Sequence, residues 1–519
     1  MRQTVLSVVL EVQPASASRL REIIRGIRKA EETVKTDADW YYDRLRHGVP
    51  LLQFMSMTVC EDAQFDPVLV IECNFDGAPG PFWAQLENLY SKELRDMLRC
   101  CQRPRGKLQA LFDHVTAPES RAAIAPFLEA ATIWPAVFHI GNRGLPRERS
   151  ERETALFDYC QKRLDDEPAL RSRTATEVHA ALRTGALAQF PWLNKPEQPQ
   201  VSTAENIADW ANLIGFLVLA VAVLTVPGLL LRSTFPSWLP ALLGILGTVW
   251  AGFHLNWMKD PALPGLMGLP NPPVIIFGIG GVALFGAVVS VGADRFLHWS
   301  CVSTVGAMIC SAGALLAVIL AWIDVLETAD PPQTAPPLNE QKIRDQIASE
   351  DRITQNHMIS IVHLKPGVLR AILIRAGLWG LGYYLRLRAR DGYLASMRTI
   401  HFAHWAFVSN GSRLMFHSNF DGTWESYLDD FIEKAHAGLT LAWSSGVGFP
   451  PARFLAFEGA THGLAFKNWA RHSMTASQFW FSAYRDLTVN QIERQVLVAD
   501  GLRTPTLPEV KAAAWARRL

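Results

Sequence analysis

The sequence predicts an α+β protein with a transmembrane α region: two soluble α+β domains flanking a four-helix transmembrane bundle. Three observations carry this reading. Four apolar windows without charge follow one another in the middle of the chain. Strands and helices recur in the same order in both flanks. The tetrapeptide Asn-Phe-Asp-Gly stands at the same point of each flank, at 74–77 and 419–422. The expected boundaries are 1–193 for the first domain, 194–204 for a linker, 205–329 for the membrane region, 330–357 for a Pro-rich linker and 358–519 for the second domain.

The windows run Trp210–Leu231, Phe235–Met258, Pro273–Ala293 and Trp299–Ile323, closed by Arg232, Lys259, Asp294 and Asp324. A helix needs about 20 apolar residues to cross the hydrocarbon core, and each window supplies them. Trp210, Trp238, Trp257, Trp299 and Trp322 lie near their ends, where interfacial aromatics belong. No window holds a central charge, which disfavours an ion or proton path. The lipid bilayer is therefore an expected partner. An even span count puts both flanks on one side. The run before Glu11 is too short for a signal peptide and reads as a strand, so that side is expected to be the cytoplasm.

Whole-chain charge is balanced, with 50 Lys+Arg against 49 Asp+Glu. It provides no global field for nucleic acid, and no nucleic-acid partner is expected. The seven cysteines show no CxxC spacing, so free thiols are expected rather than a disulfide framework.

The first flank reads as a strand at 4–13, a helix at 16–34, strands at 51–60 and 67–74, then a helix from Pro81. The second reads as a strand at 358–364, a helix from Pro366, strands at 399–408 and 413–418, then a helix from Trp424. The segment Leu378–Leu385, followed by Arg386, Arg388 and Arg390, suits either the bilayer surface or packing on its own sheet. Later, Arg143-Gly144-Leu145 pairs with Arg485-Asp486-Leu487, and Glu151-Arg152 with Glu493-Arg494, each after an apolar strand. The halves read as diverged copies. A β-α-β-β-α-β order gives a ferredoxin-like sandwich, and its open sheet face must be covered. Two copies can cover each other.

A duplicated ferredoxin-like unit with an Asp-Gly turn resembles the dimeric α/β-barrel superfamily, which includes dye-decolourising peroxidases and chlorite-dismutase-like haem proteins. Ser418-Asn419-Phe420-Asp421-Gly422 and Cys73-Asn74-Phe75-Asp76-Gly77 keep the Asp-Gly of the peroxidases' Gly-x-x-Asp-Gly motif without its leading Gly. The run Ile400-His401-Phe402-Ala403, with Asn419 to Leu428, also resembles a bacterial multi-span membrane family over most of 358–500. The resemblance implies a haem-dependent, peroxidase-like oxidoreductase at the bacterial inner membrane, acting on a lipophilic small molecule and able to form a homo-oligomer. Asp421 and Asp76 would be distal acids, Arg485 and Arg143 charge-stabilising cations, and His401, His404 or His417 the iron ligand; His436, His462 and His472 are also available. The residues alone equally allow Asp-Gly as a turn and helix cap, and Arg143 and Arg485 as partners of acidic side chains. A non-catalytic ligand- or partner-binding scaffold is the alternative function. Reporter fusions at the two termini are expected to report the same side of the membrane; opposite sides would overturn the even span count.

Overall fold

The computed structural model describes residues 3–33, 42–197, 199–234, 295–296, 298, 300–330, 339–388 and 398–519. The second and third apolar windows, 235–258 and 273–293, fall outside them.

Two antiparallel sheets form the body of the α/β part of the chain. In the first half, β1 (Gln3–Glu11), β2 (Leu52–Cys60) and β3 (Val68–Asp76) are long, and β4 (Thr132–Ile133) is a short edge piece; β5 is Val137–Ile140. In the second half, β6 (Gln355–His363), β7 (Ile400–Val408) and β8 (Arg413–Asp421) are long. A small hairpin, β9 (Ala452–Arg453) with β10 (Phe457–Glu458), precedes β11 (Phe479–Ser482). The sheet orders are β11-β2-β3-β1-β4 and β5-β7-β8-β6. β5 thus leaves its own half to pair with β7, Val137 opposite Trp405, and β11 crosses the other way to pair with β2, Phe479 opposite Met57. Each half lends the other an edge strand, so neither half completes its sheet alone.

Period-two alternation sorts the strands' side chains between two layers. One face of the first sheet, with Leu6, Val8, Leu69, Ile71 and Phe75, buries against Leu20, Ile24 and Ile27 of helix Ala17–Thr33 and Phe82, Trp83 and Leu86 of helix Pro79–Arg99. The second sheet does the same with Val362, Trp405, Leu414 and Phe420 against Ile374 and Leu378 of helix Val368–Arg388 and Tyr427, Leu428 and Phe431 of helix Trp424–Trp443. The opposite faces meet across Cys60, Val68, Val70, Ile359, Ala406, Val408 and Met415. A third core joins helices from both halves, through Leu156, Cys160, Leu182, Val498, Leu502 and Trp515.

Asn-Phe-Asp-Gly ends a strand in both halves, and the Asp holds the start of a distant helix. Asp76 accepts from the Arg147 N–H at 2.7 Å and Asp421 from the Val489 N–H at 2.8 Å, at the N-termini of helices Arg147–Asp166 and Val489–Arg503. A carboxylate there suits the helix dipole.

Three helices among the described residues are long and apolar enough to cross a membrane: Thr203–Val226, Thr304–Thr328 and Val368–Leu387. The first two correspond to the first and fourth apolar windows. They pack together, Ser311 donating to the Leu224 carbonyl at 3.0 Å. Asp209 near the start of one pairs with Arg143 at 2.8 Å. Glu327 near the end of the other accepts from the Phe454 and Leu455 N–H groups at 2.8 and 2.9 Å. Both of these apolar helices therefore dock onto the same body. The third helix packs on its own sheet through Ile374, Leu378 and Leu385, while Trp379 meets Phe216 of the first apolar helix with ring centroids 5.3 Å apart.

Phe481 lies on an exchanged strand and is fully buried in the core of the other half. Phe481→Ala is expected to cost about 3–5 kcal/mol, read as a lowered denaturant midpoint in detergent. The body should still unfold in one transition; two separated transitions would contradict the interdependence of the sheets.

Candidate metal centre

The facing strands change character along their length. At one end of the layer between the sheets they present Val68, Val70, Ile359 and Met415. Further along the same faces come Glu72 and Asn74 on β3, His357 on β6, His404 on β7, and His417 and Asn419 on β8. Register sets the rows. Ser7 and Ser56 flank Glu72 in the first sheet. His404 stands opposite His417, and His357 opposite Asn419, in the second.

Glu72 is wholly buried and surrounded by donors. Its Oε1 accepts from Asn74 Nδ2 at 2.7 Å and Asn419 Nδ2 at 2.9 Å, and its Oε2 from Ser56 Oγ at 3.0 Å. Oε2 also faces His417 Nδ1 at 3.5 Å and His357 Nδ1 at 3.6 Å. Asn419 links the two sheets further: its Oδ1 accepts from Trp480 Nε1 of exchanged strand β11 at 2.8 Å and lies 3.2 Å from His357 Nδ1. His404 Nε2 meets Ser7 Oγ at 3.0 Å, and its ring stacks on His417 at 4.8 Å.

Several of these atoms lack a hydrogen-bond partner: both nitrogens of His417, Nε2 of His357, Nδ1 of His404 and Oδ1 of Asn74. A buried polar atom left unsatisfied costs about 1–3 kcal/mol, and a concentration of them in one place calls for an explanation such as an ion. One donor atom from each of Glu72, His357 and His417 lies within 4.8 Å of the other two. Around an ion with bonds of about 2.0–2.2 Å, neighbouring donors sit roughly 3–3.5 Å apart. Closure on an ion would thus require side-chain movement on the order of 1 Å. Burial pushes His404 down to about 4 and His417 well below the usual imidazole range; it lowers His357 as well, with Glu72 acting in the opposite sense. Burial thus favours the neutral imidazole, the form that ligates a metal.

The predicted site residues divide among different places. His404 and His417 come together here. His401 does not: its Nε2 lies 2.7 Å from Asp421 Oδ1, at the strand end. Gln53 occupies the matching position in the first half and donates to Asp76 Oδ1 at 2.7 Å. Both Asp residues thus join a strand end to a helix start. Arg143 bonds Asp209 and the Arg386 carbonyl, at 2.8 and 3.1 Å. It lines a cavity of about 530 Å³ at the foot of the first apolar helix, with Phe138, Glu205, Asn212 and Arg386. Arg485 lies beyond β11, where its carbonyl accepts from Thr354 N–H at 3.3 Å. Glu72, His357, Ser56 and Asn419 were missed. A lone acid in the run Val68-Leu69-Val70-Ile71-Glu72 was the available signal.

A porphyrin does not fit the cleft that reaches His357 as packed. The space reaching His357 is a cleft of about 40 Å³, against roughly 300–1,000 Å³ for ordinary ligand and cofactor sites. Thiol chemistry is also disfavoured. Cys60, Cys73, Cys100, Cys101 and Cys160 are buried and free, and burial pushes Cys60 up to about 12.

Burial also raises the Asp76 carboxyl to about 6, although the Arg147 N–H and the Gln53 amide pull it down. The unfolded value is about 3.9, so between these pH values the folded state binds the proton more tightly. The stability from this group is full below about pH 4 and is lost as pH rises through about 6. Asp76→Asn should remove that loss. Its unfolding free energy is expected to gain on the order of 2 kcal/mol on the parent's between pH 4 and 7; parallel profiles would refute the assignment.

No family model matches this chain, and no curated protein and no solved structure matches it.

Proposed function

We propose that this chain is a membrane-anchored metalloprotein whose two-sheet body holds one divalent transition-metal ion between the sheets. Glu72, His357 and His417 would be its ligands. The observation that carries this reading is a buried carboxylate facing two buried imidazoles, with both nitrogens of His417 and Nε2 of His357 lacking hydrogen-bond partners. Two histidines and one carboxylate are a donor set suited to zinc or non-haem iron. When bound, such an ion supplies Lewis-acid or redox chemistry. The protein's part is orientation: Ser56, Asn74 and Asn419 fix the carboxylate. Outer hydrogen bonds of this kind set ligand geometry and affinity. The redox class expected from the resemblance is retained here with a single ion in place of haem.

The body is read as two diverged ferredoxin-like units. Three matched details support this. Gln3 opposes Asp76 as Gln355 opposes Asp421; both halves have a register shift, at Leu52/Phe54 and Ile400/Phe402; and both Asp residues hold a helix start. The apolar helices anchor this body at the bilayer, where a lipophilic small molecule would be met, and the polar cavity beside Arg143 and Arg386 has room for a small molecule.

A structural role for the ion is the second reading. It is favoured by the ligands' origin in both sheets, so that one ion would fasten them together. Metal analysis of detergent-purified, full-length protein tests the common claim. About one zinc or iron per chain is expected, falling at least tenfold in Glu72→Gln and His417→Ala. Metal-free parent protein after growth with both metals supplied would sink the proposal.

A further inference from the structure

The geometry points to an open coordination position at this centre, reached by a small exogenous anion through the cleft at His357. This inference rests on the metal-binding reading and deepens it, by making the site reactive rather than only structural. Three protein ligands are the number found in catalytic sites, which leave a position for solvent or substrate; structural zinc sites close with four. Glu72, His404 and His417 are wholly buried, whereas the His357 side chain retains 4% exposure. His357 also lines the cleft, with Tyr42, Trp480, Met474, Ser349 and Arg352.

The size of the opening selects the ligand. A volume of about 40 Å³ holds roughly three water molecules. A ligand of two or three heavy atoms enters; a ring does not. The sign of the mouth selects again. Arg352 lines it, Arg28 there is paired with Glu32 at 2.7 Å, and its one carboxylate, Glu350, is engaged by Arg471. Trp480 forms the inner wall. Its ring lies nearly parallel to His357, 6.0 Å away and tilted 17°, and its Nε1 is tied to Asn419. The wall and the ligand set are therefore one hydrogen-bonded unit. The chemical class is a small anion such as hydroperoxide, with azide as its inert probe.

The test uses full-length protein in detergent, loaded with cobalt(II) as a spectroscopic metal. Azide titration should change the visible cobalt bands and saturate at one azide per cobalt, while imidazole at the same concentrations should leave them unchanged. Ser349→Trp, which narrows the mouth from its rim, should keep its cobalt and weaken azide binding at least tenfold. Arg352→Ala, a milder change at the surface, should weaken it about two- to fivefold. Full cobalt occupancy with no azide response overturns the open position and leaves the ion structural. A response unaffected by either variant overturns the route. Failure to bind cobalt at all refutes the metal reading itself.

Discussion

The exchange of edge strands between the halves is the constraint on which the rest of the body depends. A sheet edge presents unpaired N–H and C=O groups. Here β5 covers the β7 edge and β11 covers the β2 edge. The crossings hold the sheets face to face, and the helices that follow them form a core belonging to neither half. Asp76 and Asp421 secure those helices at their first residues. Gly144 shows how tight one crossing is: its φ is +80°, and a Cβ there would lie 1.8 Å from the Gln200 carbonyl oxygen.

Face-to-face packing creates an interior with two kinds of wall. The apolar end closes as any core does. The polar end confines a carboxylate with imidazoles, and a confined charge needs compensation. Three neutral donors provide part of it. The histidines turn toward the carboxylate without completing it, and that incomplete satisfaction distinguishes a candidate ligand set from a packed polar core.

Much of the architecture was legible in the sequence because it is written in local patterns. Strand and helix order, the repeated Asn-Phe-Asp-Gly and the covering of one sheet by the other follow from periodicity and spacing. The exchange was not legible, since Val137–Ile140 and Phe479–Ser482 look like ordinary final strands. Pairing partners are tertiary facts. The site was half legible. His404 and His417 stood out as histidines on paired strands. His357 was missed because β6 begins at Gln355 and not at Met358. Glu72 was missed because one acid in an apolar strand discloses its burial but not what faces it across a second sheet. The Asp-Gly turns drew attention to the strand ends, about four residues from the row where the imidazoles gather. For Leu378–Leu385 the sheet-packing reading holds, and the same helix also supports the first apolar helix.

The exchange also has an order in time. Synthesis reaches residues 52–60 long before residues 479–482, and the apolar helices are made in between. The nascent first half must carry an uncovered β2 edge while the apolar helices are being made, and such an edge is open to mispairing. Only when β11 arrives from the far side of the apolar region can the first sheet close. The body is therefore completed last, after the apolar helices have been made. Any ion held between Glu72 and the second-half histidines could be enclosed only after both ends of the chain had met.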